Sequence, residues 1–125
     1  LALRPGFLPT PEALQAFVRR VYAALQACCP DYQGGRWEAY ALEDGSWFLA
    51  PVMPGVLRLQ DGEGNTQAMA PWAAGLVATI LAVRDTEPPA SALLSQVLFQ
   101  NALEVLAEGL PDADAVGCVL EAALV

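Results

Sequence analysis

The chain has no histidine and no lysine. Without an imidazole it lacks a His general base, a His metal ligand and the usual switch near neutral pH. Its six basic residues are all arginine and face fourteen acids, for a net charge of −8. No basic stripe can track a phosphate backbone, so direct nucleic-acid binding is not expected. The acidic surface suits either plain solubility or contact with a basic protein face. Charged residues are only 16% of the chain, too few for a chain held open by its own charge. The cysteines, Cys28, Cys29 and Cys118, are odd in number and include an adjacent pair, which is no disulfide framework. A thiolate at Cys28 or Cys29 would have no His to activate it, and both read as buried filler. No apolar run reaches the ~20 residues of a membrane helix. Leu1 to Gly6 lacks the basic-then-apolar order of a secretory signal, so a cytoplasmic protein without membrane contact is expected.

What is present is apolar: 55% of 125 residues. That suffices for one domain, 1–125, with an irregular lead-in over 1–9. Thr10-Pro11-Glu12 reads as a helix start, and Leu14, Phe17, Val18, Val21, Tyr22 and Leu25 continue at helical spacing. Pro30 ends this helix near Cys29. Arg36 to Leu42 and Trp47 to Ala50 read as strands around an Asp-Gly turn. Val56 to Gln60 and Thr66 to Met69 follow, around a turn at Asp61 to Asn65. The four strands are expected to form one antiparallel meander. Pro71 opens an apolar helix to about Val83, the expected central helix. A helix from Ser91 to about Glu108 places Leu94, Val97, Leu98, Val105 and Leu106 on one stripe. Gly109 stops it, and a last helix starts near Asp112 with Val116, Val119, Leu120 and Leu124. About four strands with about four helices make an α+β domain. The sequence sets no oligomeric state.

Aromatic and acidic residues concentrate in "YQGGRWEAYALEDGSWFLAP", Tyr32 to Pro51. Gly34-Gly35 lacks the lysine and following helix of a phosphate cradle and reads as a turn. Asp61-Gly62-Glu63-Gly64-Asn65 begins like a calcium loop, but Thr66 and Trp72 stand where Gly and Glu are needed. Glu43 and Asp44 at a hairpin tip point to water rather than to an acid–base pair. No catalytic, metal or cofactor-binding residue is assigned. Trp37, as a core residue, and Trp47, as a partly exposed one, are expected on the hairpin. The candidate interaction surface is Tyr40, Glu43, Asp44 and Trp47, with Asp112 and Asp114 as a second acidic turn. The scattered acids, interrupted by arginines, are not expected to form a phosphate-like track.

The spacing Tyr32-x-Gly34-Gly35-x-Trp37-x-x-Tyr40-x-Leu42-x-x-Gly45-x-x-Phe48-x-Ala50-Pro51, followed by "AAGLVATILAV" from Ala73 to Val83, resembles the ArdB/KlcA antirestriction family. The resemblance implies a small α+β domain with an antiparallel sheet among helices, no enzymatic activity and no cofactor. It also implies a mobile-element protein, from a plasmid, phage or integrated element, that protects incoming DNA from host type I restriction. Its partner would be a protein, either a host restriction enzyme or an associated factor. A second reading is a structural or regulatory protein-binding module of a mobile element without antirestriction activity.

Overall fold

The apolar run after Pro71 forms the centre of the molecule. In the computed structural model, α2 (Pro71–Arg84) buries Ala73 to Ile80, Ala82 and Val83. The structure describes residues 8, 10–30, 32–43, 45–61, 65–87 and 92–122, with side chains to residue 121. The 1–9 lead-in apart from Leu8, the turn residues 62–64, the loop 88–91 and Leu124 lie outside the described residues, as does Asp44.

Two elements pack most heavily on α2: the first helix, α1 (Pro11–Cys28), and the strand β2 (Trp47–Pro51). The start of α1 follows from its sequence. Thr10 Oγ1 accepts a hydrogen bond from the Ala13 N–H at 3.1 Å, and Pro11 takes the first helical position, where its missing donor costs nothing. Phe17, Val21 and Leu25 turn inward. The helix ends just before Cys29, as Pro30 requires. Cys29 is fully buried and Cys28 half-buried, and burial, with Cys29 beside it, pushes the Cys28 thiol pKa up. A raised thiol pKa leaves little thiolate at neutral pH.

Close contact between α2 and β2 depends on Gly75. A Cβ built there would stand 2.3 Å from the Ala50 Cα and 2.3 Å from the Leu49 carbonyl oxygen. A second device is Thr79, the one polar residue on α2's buried face. Its hydroxyl accepts the Leu49 N–H at 3.1 Å and donates to the Gly75 carbonyl at 2.8 Å. The outer edge of β2 is thus bonded to a helix rather than to a strand.

The strands do not form the single meander expected from sequence. β1 (Trp37–Ala41) pairs only with β2, and β3 (Leu57–Gln60) only with β4 (Thr66–Met69), among the described residues. The helix α2 occupies the flank of β2 that a third strand would need, and Pro51 to Gly55 breaks the chain between hairpins. The second hairpin alternates as predicted, with Leu57 and Leu59 buried and Arg58 exposed. Asp61 organises its turn: the carboxylate accepts from the Asn65 N–H and the Gln67 side chain at 3.2 and 3.3 Å.

The last two helices, α3 (Leu93–Glu108) and α4 (Ala113–Ala122), close the core. On α3 the predicted stripe faces the wrong way. Phe99, Leu103 and Ala107 are buried, whereas Leu94, Val97, Leu98 and Val105 are exposed and Leu106 is half-buried. The helix carries two apolar stripes on opposite sides, so spacing alone could not choose its inner face. Arg84 joins the ends of α2, α3 and α4 by donating to the Leu120 carbonyl at 3.0 Å and to Glu104 at 3.1 Å.

Candidate functional site

The β1–β2 hairpin carries the densest chemistry, and its register sorts its residues. The Arg36 carbonyl accepts the Val52 N–H, and the Leu42 N–H donates to the Ser46 carbonyl, so even-numbered residues of β1 face β2 through their backbone. By alternation, the amides and carbonyls of Trp37, Ala39 and Ala41 point away from β2, along an edge that no other strand covers among the described residues. Such an edge can accept an extended segment of another chain.

One face of the hairpin turns to α1. Trp37 is half-buried, 4.8 Å from the Tyr22 ring and 5.9 Å from the Tyr32 ring, and its indole N–H donates to the Tyr32 hydroxyl. A groove of about 560 Å³ runs between α1 and β1, floored by Leu14, Val18, Trp37 and Leu49 and rimmed by Gln15, Arg19 and Glu38. On the opposite face Tyr40 is 41% exposed and stacks on Phe48 at 5.1 Å and 11°. The Arg36–Glu38 ion pair, 2.8 Å apart, lies in open solvent and adds little stability.

The expected interaction surface is only partly assembled. Tyr40 and Glu43 are exposed on the hairpin. Trp47 is not: it is 1% exposed and makes edge-to-face contacts with Phe17 at 5.7 Å and Phe99 at 5.6 Å. The roles expected of the two tryptophans are therefore exchanged. Trp47 is on β2, the strand pressed between helices, while Trp37 is on the outer strand. The hairpin tip closes through Gly45, whose φ of +91° glycine alone adopts without strain. The second acidic turn is separate and divided in role. Asp112 is half-buried and accepts the Ala70 N–H at 3.1 Å, tying the start of α4 to the start of α2, while Asp114 is exposed. Sequence reasoning missed the α1–β1 groove and its rim residue Arg19; the off-stripe position of Arg19 on α1 was the available signal.

A family model for antirestriction proteins matches residues 30–109, both hairpins through α3. The chain belongs to the antirestriction protein family. Two antirestriction proteins KlcA of Escherichia coli are each 38% identical over 86 residues, covering 66% and 64% of this chain. The match spans 61% and 59% of those relatives, about three-fifths of their length. A solved structure superposes with a TM-score of 0.75 at 30% identity, covering 91% of this chain and 85% of its own. It comes from work on the KlcA and ArdB proteins, which show a novel fold and antirestriction activity against type I DNA restriction systems in vivo but not in vitro. The α+β architecture of this chain is the one found there, and the stretch from Tyr32 to Val83 that carries the sequence resemblance falls inside the matched region.

Proposed function

We propose that this protein protects incoming unmodified DNA from a host type I restriction system, acting in the cytoplasm as a mobile-element protein without catalysis of its own. The observation that carries the reading is the match to the KlcA and ArdB structure, whose proteins act against type I systems in vivo. Their inactivity in vitro favours a route through a further cellular protein over direct occupation of a nuclease. A net charge of −8 without a basic stripe also favours a protein partner over DNA. The contact surface is the exposed side of the first hairpin, the β1 edge with Tyr40 and Glu43, and Asp44 is included as the acid next to Glu43 in the sequence.

The experiment is transfer of unmodified DNA into cells with an active type I system, with and without the protein. Transfer rises when it is expressed. Glu43→Asn combined with Asp44→Asn lowers that protection while the melting temperature holds, because surface changes stay within ~0.5 kcal/mol each. No gain in transfer with well-expressed wild-type protein rejects the function, and is the result a binding module without antirestriction activity would give. Full protection by the double variant rejects the tip as the contact.

A further inference from the structure

The outer face of α3 is the largest apolar surface left uncovered among the described residues. Leu94 is 70% exposed, Leu98 60% and Val105 68%, with Leu93 and Val97 about half exposed beside them. At about 100 Å² each, these side chains present on the order of 500 Å², the upper end for a monomer. They lie opposite Phe99, Leu103 and Ala107, so the helix has one apolar face in the core and another in water.

We propose that this face is the seam of an antiparallel homodimer. Three features choose a second copy as the occupant. First, the exposed positions 94, 98, 101, 105 and 108 alternate spacings of four and three, the seam pattern of paired helices. Second, Asn101 sits at the middle of that seam and is exposed. On a two-fold axis its amide meets its own copy, each donating to the other's carbonyl, while Leu98 packs on Val105 of the other chain. Third, Leu93 to Leu103 carry no charge in a chain of net charge −8. Two copies would repel over most of their surfaces but not here. Glu108 stands at one end of the seam and is exposed, whereas Glu104 is turned to Arg84. An antiparallel pair keeps the two Glu108 carboxylates at opposite ends and opposes the helix dipoles, whereas a parallel pair would stack like charges. At on the order of 500 Å² from each copy, about 1,000 Å² in total, the face falls at the small end of specific interfaces, which fits a weak, reversible dimer.

Sedimentation equilibrium over a micromolar concentration series tests this, in reducing buffer so that exposed Cys118 cannot link copies. The wild-type protein should reach twice the mass of one chain. Leu98→Glu should weaken association by at least about 100-fold, since symmetry introduces the change twice. Circular dichroism and melting of that variant should match the wild type. Val105→Lys alone should also give a monomer. The two changes together should dimerise more tightly than either alone, because the carboxylate introduced at position 98 then faces the ammonium introduced at position 105 across an antiparallel seam. A wild-type monomer at every concentration overturns the proposal, as does a Leu98→Glu dimer. Failure of the double variant to recover overturns the antiparallel arrangement. A monomer that instead floats with neutral phosphatidylcholine vesicles assigns the face to a lipid surface and overturns it too.

Discussion

Trp47→Ala will lower the unfolding free energy by about 3–5 kcal/mol, the cost of emptying a buried large aromatic site. The indole is 1% exposed and wedged edge-on between Phe17 of α1 and Phe99 of α3. Its removal loosens two helices from one strand at once. A domain of this size holds only ~5–15 kcal/mol in total, so the variant will be largely unfolded or melt far below the parent. Trp37→Ala is the internal comparison. Trp37 is half-buried on the outer strand, with Tyr22 and Tyr32 as its main aromatic contacts, and will cost clearly less. Urea unfolding of the two variants side by side decides the matter. Equal losses would contradict the exchanged roles of the tryptophans.

The second large effect is expected at Gly75. In an exposed helix, Gly→Ala gains up to ~1 kcal/mol. Here the sign reverses. The added methyl would stand 2.3 Å from two backbone atoms of β2, and neither can rotate out of the way as a side chain could. Either β2 must lift from α2 or α2 must shift against α1. Overpacking of this kind costs ~1–3 kcal/mol and occasionally more, and a rigid backbone neighbour places it at the upper end. The net loss should be about 2 kcal/mol or more, a fall in melting temperature on the order of 10 °C. Thermal melting of Gly75→Ala measures it, and a rise in melting temperature would show that the sheet and helix are not in such close contact.

Much of the fold was legible because local signals and tertiary packing agree. Thr10 and Pro11 cap α1 as their chemistry dictates, Pro30 ends it, and Asp61 and Gly45 set their turns. The apolar helix from Pro71 is central because no face of it could tolerate water. Legibility failed where two answers satisfy the same local rule. On α3, residues 94, 97, 98 and 105 and residues 99, 103 and 107 are both helical stripes, and only packing against α2 and α4 separates them. Four alternating strands fit one meander or two hairpins equally well. The choice came from α2, whose Thr79 takes the position of a strand partner on β2. The candidate site shows the same pattern. Exposure of Tyr40 and Glu43 follows from their place on the outer strand and its turn. The burial of Trp47 depends on Phe17 and Phe99, which lie far from it in the chain and which no reading of the hairpin alone could supply.

The bond from the Leu49 amide to Thr79 also sets the rhythm at which the hairpin trades protons with solvent. In deuterated water, the amides of Trp37, Ala39 and Ala41 face outward on the open edge and should exchange early, through small local openings. The Leu49 amide has no strand beyond it either, yet it can open only when α2 and β2 separate. It should therefore exchange as late as the amides in the middle of α2, and a two-stranded ribbon will record local breathing along one border and global unfolding along the other.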